Sequence, residues 1–552
     1  MARPLHRLRG RGAAAEPVLG QHGLARALRT GRLPLRSGRG LAHRPPEGGG
    51  GGAGAGSRGS GYLRPTRFRQ RRGAVTYASH SPAPRPALTL RTRTRGPDSA
   101  PARRARALPW WWGLVGATAL GLALRVGYVL IWKRHARFSG DATYYHLAAN
   151  LLAQGHGFVE PFYWVRHIAV PGADHPPLYI VALAVPSALG WSGWLAHQVT
   201  SCLIGAATVA AIGLAARELA GPRAGLVAAL VAAVHPVLWV NDGVVMSESL
   251  VQLTVALALL GAYRWWKRPG WRPAVATGAA CALAALTRAE LVLLAPLLLV
   301  PLALRLRGVA RPRRLGLLGA SVAAMAATIA PWAGYNATRF HRPVPLSTGL
   351  GPVLAAANCD ATFNGPFLGY WSYPCQAQVP RAPGDLSDQD LAYRSHALAY
   401  ASRHRGHLPV VVGARLGRAW GLYRPVQLLR IERAVEDREL PPAEAGLGLF
   451  FVLAALSAVG AVGLRRRAGP TALPIVALVA TVSLTSAVTY GTTRFRAPAD
   501  VGLVVLGSAG VALLLEERAR RRGRRRTEPS LREPLAALPE TAAAGPAGAS
   551  RA

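Results

Sequence analysis

Apolar stretches close to twenty residues long recur between Trp111 and Leu515. A helix rising 1.5 Å per residue needs about 20 such residues to cross a hydrocarbon core of about 30 Å. Lipid offers backbone amides no partner, so irregular chain and open sheet edges are excluded there. Composition agrees: of 552 residues, 51% are hydrophobic and 16% charged, too apolar for a soluble chain of this size. The expected fold is an all-α polytopic membrane bundle of about 10–11 apolar segments. They lie near 111–132, 176–190, 195–217, 224–241, 246–265, 273–288, 290–306, 315–335, 446–464, 471–490 and 497–515.

The formal net charge of +41 sits mostly at the two ends and in short loops. Positive-inside topology and contact with anionic lipid account for it better than nucleic acid does. The Arg-rich, acid-poor region 1–108 reads as a disordered cytoplasmic segment. A membrane module follows at 109–335, with its first outer loop at 133–175. A hydrophilic loop at 336–445 is long enough to be a folded extracytoplasmic cap. Two or more spans occupy 446–515, and 516–552 is a basic cytoplasmic tail. Eleven crossings would leave that tail outside, so one segment fails to cross. The segment at 176–190 is short and holds Pro176, Pro177 and Pro186, which suits a re-entrant or incomplete span. Cys202 and Cys281 fall in apolar spans and read as core residues. Cys359 and Cys375 fall in the cap, where an extracytoplasmic setting lets them pair as a disulfide.

Candidate chemistry gathers at outer span ends. Asp141 follows Ser139-Gly140, a turn able to present it, and precedes Tyr144 and Tyr145. It is either a solvated loop acid or a general base for an acceptor hydroxyl. Asp174-His175 precedes Pro176-Pro177 and suits a helix N-cap, an acceptor contact or a divalent-metal ligand. Glu248, with Asp242 as its competitor, opens a span, where it can complement the helix dipole or face the same cavity. Arg288 interrupts two apolar segments, either to hold a phosphate or to pair with Glu290. Arg339, His341 and Arg342 are candidate anion contacts. Arg494 and Arg496, outside the membrane against the positive-inside trend, need an acid or a phosphate as partner. No P-loop, dinucleotide fingerprint, HExxH or GxSxG is present, so ATP-driven transport is unsupported.

The order of these motifs resembles the GT-C membrane glycosyltransferases. The likeness is to the family-39-like branch related to protein O-mannosyltransferases and the aminoarabinose transferase of lipid A. It rests on Gly140-Asp141-Ala142-Thr143-Tyr144-Tyr145, His175-Pro176-Pro177-Leu178-Tyr179, Met246-Ser247-Glu248-Ser249-Leu250, Leu286-Thr287-Arg288-Ala289-Glu290, Pro331-Trp332 with Asn336, and Arg494-Phe495-Arg496-Ala497-Pro498. The resemblance implies inverting transfer of a sugar from a polyprenyl-phosphate donor to a glycan, lipid or protein acceptor on the outer face of the plasma membrane. It makes Asp141 the base, Asp174 a metal or acceptor residue, Glu248 a further site acid and Arg288 a contact to the lipid phosphate. Ala142 stands where many protein O-mannosyltransferases carry a second acid, which leaves the acceptor open. A lipid or glycan flippase is the alternative. It calls for ionisable residues near the midplane and an internal repeat, and neither is evident.

Overall fold

The computed structural model describes residues 109–136, 138–466 and 471–527. The expectations for 1–108 and for the end of the tail lie outside the described residues. Among the described residues no strand forms, and every apolar segment read from the sequence is helical.

The membrane part starts with α1 (Trp110–Tyr128), extended by a wide turn through Lys133. Then come α2 (Gly140–Ala153), α3 (Pro161–Trp164), α4 (Leu178–Ala188) and α5 (Trp194–Ala220). Next are α6 (Pro222–Val234), α7 (Pro236–Gly243), α8 (Glu248–Lys267) and α9 (Trp271–Ala285). An irregular helical stretch at Ala289–Leu304 ends in α10 (Val300–Leu304), and α11 is Arg311–Ala337. The cap holds α12 (Leu350–Ala357), α13 (Asp360–Phe363), α14 (Tyr373–Ala377), α15 (Leu386–Arg403), α16 (Leu408–Ala419) and α17 (Pro425–Glu436). The chain returns through α18 (Leu440–Arg466), α19 (Leu473–Val488) and α20 (Ala497–Thr527).

Among the described residues, five helices can cross a membrane by length and composition, six if the α6–α7 pair, bent by 45°, is one span. Pro236 makes that bend, because it lacks an N–H and disfavours the α conformation in the residue before it. The expected incomplete segment is α4, whose eleven residues cover roughly 16 Å, about half a bilayer core. Small residues let the spans approach: a side chain on Gly278 would overlap the Ser321 backbone, and one on Gly510 the Leu456 carbonyl. These contacts join α9 to α11 and α18 to α20, closing a core that runs from Leu114 to Ala509.

A charge pair lies buried inside this core. Arg125 Nε donates to Asp242 Oδ2 over 2.8 Å, and neither side chain is exposed. A side chain on Gly205 would strike both partners. Removing one member strands the other in low dielectric, a loss of about 3–5 kcal/mol, whereas removing both does not. Thermal unfolding of the purified protein should therefore show Arg125→Met strongly destabilised and Arg125→Met/Asp242→Leu largely restored. Equal losses in the two variants would contradict this reading.

Candidate active site

Arg494 joins three carboxylates from three distant parts of the chain. Its Nε donates to Glu248 over 2.8 Å, its Nη2 to Asp141 over 3.0 Å and its Nη1 to Glu436 over 3.3 Å. The planar fork of a guanidinium meets each carboxylate through a different nitrogen. Glu248 is fully buried and accepts a second bond from Arg288 Nη1, 2.7 Å away. Arg288 also donates to Glu290 over 2.6 Å and lies over the Phe495 ring. The pairing with Glu290 is present, and Glu248 is a second carboxylate partner of the same guanidinium. Arg438 Nε lies 2.9 Å from Glu436 Oε2 without hydrogen-bond alignment, and its Nη2 donates to Asn241.

Local structure explains the convergence. Gly140 takes φ +56°, open to glycine, and turns the chain so that Asp141 enters the first turn of α2. Glu248 opens α8, where it also complements the helix dipole. Before it, Val245 is held at φ +55°, a rare strain for a β-branched residue. Glu432, one turn before Glu436 on α17, accepts from the Thr492 hydroxyl, the Thr493 amide and the Thr493 hydroxyl. It thereby pins the turn that carries Arg494.

Asp141 differs from Glu248 in access: its side chain is 36% exposed. Burial alone would raise its pKa, but Arg494 foremost and then His175 outweigh burial and bring it to about 2. His175 Nε2 lies 3.8 Å from Asp141 and 3.5 Å from Asp174, and its ring packs on Tyr144 and Tyr145. Asp174 has no arginine partner among the described residues. Burial raises its pKa; His175 acts against that rise and Asp141 adds to it. Glu160, buried with one oxygen unbonded, is raised to about 8 by burial and then by Asp174.

A tight three-ligand group occurs elsewhere among the described residues, at His341, Asp385 and Asp388 in the cap. There Asp385 caps α15 while Asp388 accepts from His341 and Arg342, so these oxygens already have partners. Asp174, His175 and Glu160 form no group that tight: His175 lies 3.5 Å from Asp174, and Glu160 is near enough for the Asp174 charge to help raise its pKa.

The remaining candidates lie apart from the hub. Arg339 clamps the first outer loop: it donates to the carbonyls of Phe158 and Gly172 and to Asn336 Oδ1. Arg496 pairs with Asp500 at 3.0 Å and covers the Phe450 ring, with Nη1 unbonded. It borders a cleft with Arg438, Val237, Val240, Leu429 and Leu447. Asp242 is committed to Arg125, whereas Glu248 joins Arg494 and Arg288. Cys359 and Cys375 are joined by a disulfide. The sequence reading missed Glu432, Glu436 and Arg438 and took Arg494 only as a cation in need of a partner. Their signal is the spacing Glu432, Glu436, Arg438 just before α18, weak within a hydrophilic loop.

Arg494→Lys should lower both the unfolding temperature and the activity, because a compact ammonium would replace a fork that meets three carboxylates through three different nitrogens. Wild-type values for both would show that the fork is dispensable.

Residues 174–334 match the family model described as dolichyl-phosphate-mannose-protein mannosyltransferase. No curated protein resembles the chain closely enough to count as a match. Among solved structures, the Archaeoglobus fulgidus oligosaccharyltransferase is similar at 14% identity and a TM-score of 0.46, over 76% of this chain and 52% of that one. ArnT from Cupriavidus metallidurans bound to undecaprenyl phosphate is similar at 15% identity and a TM-score of 0.36, over 75% and 78%. The chain thus spans about half the length of the first of these. At such low identity neither transfers a residue role to this chain. The match to the family described as dolichyl-phosphate-mannose-protein mannosyltransferase thus falls within the region over which the ordered motifs resemble it, and covers less than a third of the chain.

Proposed function

We propose that this protein is an inverting membrane glycosyltransferase that takes a sugar from a polyprenyl-phosphate donor. The acceptor is an envelope glycan, lipid or protein on the extracytoplasmic face. The observation that carries this reading is the half-open Asp141 carboxylate held by Arg494 at the mouth of a buried cation-carboxylate cluster. The description of the matching family, which names a lipid-phosphate sugar, supports the donor class.

In this reading the acceptor oxygen attacks the anomeric carbon while its proton passes to Asp141. The bond from that carbon to the phosphate oxygen breaks, and the polyprenyl phosphate leaves with the electron pair. Arg288 and Arg494 are the cations near enough to Asp141 to stabilise the departing phosphate. A carboxylate with a pKa of about 2 is a weak base. A donor phosphate that draws Arg494 toward itself would weaken that cation's hold on Asp141 and raise its basicity. Donor binding would then arm the base. A divalent ion at Asp174, held with His175 and Glu160, belongs to the same proposal.

The test compares membranes from a deletion strain, wild type and Asp141→Asn at matched expression. Lipid-linked sugars and envelope glycans are both measured by mass spectrometry. We expect one lipid-linked sugar to accumulate and one glycan to lose that sugar in the deletion and the variant alike. Loss of the base should slow transfer by about 10²–10⁴-fold. Wild-type glycans in Asp141→Asn alongside a defect in the deletion would refute the assignment. In wild-type membranes, EDTA should slow transfer if the ion is bound; an unchanged rate removes the ion from the scheme.

A further inference from the structure

The hub lies at one end of α8, and the other end holds a second charged site. From Glu248 to Lys267 the helix rises roughly 28 Å. There Trp111, Leu214, Arg217, Glu218, Arg264 and Lys267 line an open cleft of about 490 Å³. Three cations face one carboxylate. Glu218 is shared between Arg264 at 3.6 Å and Lys267 at 3.5 Å, long pairs between side chains that are 33–54% exposed. Such pairs hold their members weakly, so the cations stay available to a ligand.

Arg217 has no carboxylate partner among the described residues. Its guanidinium sits 4.3 Å from the Trp110 ring centre and 5.4 Å from that of Trp111. Trp110 is itself fixed, its indole N–H donating to the Pro222 carbonyl over 2.9 Å. Cations in the last turns of α5 and α8 offset helix dipoles. That role explains neither the walls of the cleft nor the arginine held against two indoles. Tryptophans sit at headgroup level, and the positive-inside rule sets this end in the cytoplasmic leaflet, whose lipids are anionic.

We infer that this cleft binds the phosphate headgroup of an anionic phospholipid from the cytoplasmic leaflet. Arg217, Arg264 and Lys267 supply the donors, and the Trp111 ring covers the glycerol. The inference is independent of the glycosyl-transfer reading, because no residue is common to both sites.

The test uses the full chain purified in neutral detergent, titrated with phosphatidylglycerol or phosphatidylcholine and read by native mass spectrometry. Wild type should retain phosphatidylglycerol in preference to phosphatidylcholine. The triple variant Arg217→Gln/Arg264→Gln/Lys267→Gln should bind phosphatidylglycerol on the order of 100-fold more weakly, at about 5-fold per cation near the surface. Glu218→Gln should bind it more tightly, a gain that misfolding cannot imitate. Equal retention of the two lipids, a triple variant that binds like wild type, or weaker binding by Glu218→Gln would each overturn the proposal. Displacement of the lipid by millimolar inorganic phosphate would assign the cleft to a soluble phosphate and defeat the lipid reading.

Discussion

A single guanidinium, Arg494, meets carboxylates that the sequence separates by 353, 246 and 58 positions. Glu248 and Glu436 are too buried for water to screen them, and without Arg494 they would repel each other and Asp141. The ends of α2, α8 and α17 and the turn before α20 are therefore tied to one point. Arg288 extends the same network to the break between α9 and α10.

Much of the surrounding architecture serves to bring these ends together. The short or broken segments α4, α7 and 289–304 stop where polar groups are needed, instead of crossing as plain spans. Lys133, at the outer end of α1, is buried and pairs with Glu439 at 2.7 Å, next to the network. In the cap, Arg415 and Arg418 of α16 are buried and bonded chiefly to carbonyls. Arg415 reaches Ala487 and Ala357, and Arg418 reaches Leu368 and Pro366. Arg415 thereby fastens the cap to the end of α19, while Arg418 and the Cys359–Cys375 bridge tie the cap to itself. The cap beside the Arg494 network is thus a braced layer.

The spans were legible because membrane crossing demands long apolar runs. Asp141, Glu248 and Arg288 were legible because a charge stands out against such runs. The same contrast fails inside a hydrophilic loop, so Glu432, Glu436 and Arg438 looked like ordinary solvated charges. Charge alone also cannot say whether a cation will meet an anion or a carbonyl. Arg339 was read as an anion contact and instead bonds to backbone carbonyls and Asn336, while its neighbour in role, Arg494, became the hub. The choice between Asp242 and Glu248 depended on Arg125, more than a hundred residues upstream, a pairing that only the folded chain reveals.

If Arg494 governs Asp141, the acid limb of the reaction must report that contact. The direct measurement is the pH dependence of kcat/KM for wild type and Arg494→Gln, with the lipid-linked sugar that accumulates in the deletion strain as donor. Asp141 at about 2 keeps the wild-type base ionised well below neutral pH, so no acid limb from it should appear near neutrality. In Arg494→Gln burial is no longer outweighed by that cation, the carboxylate pKa rises, and the limb should move to higher pH. An acid limb at the same pH in both proteins would contradict the account, because Arg494 would then not set the protonation of the base.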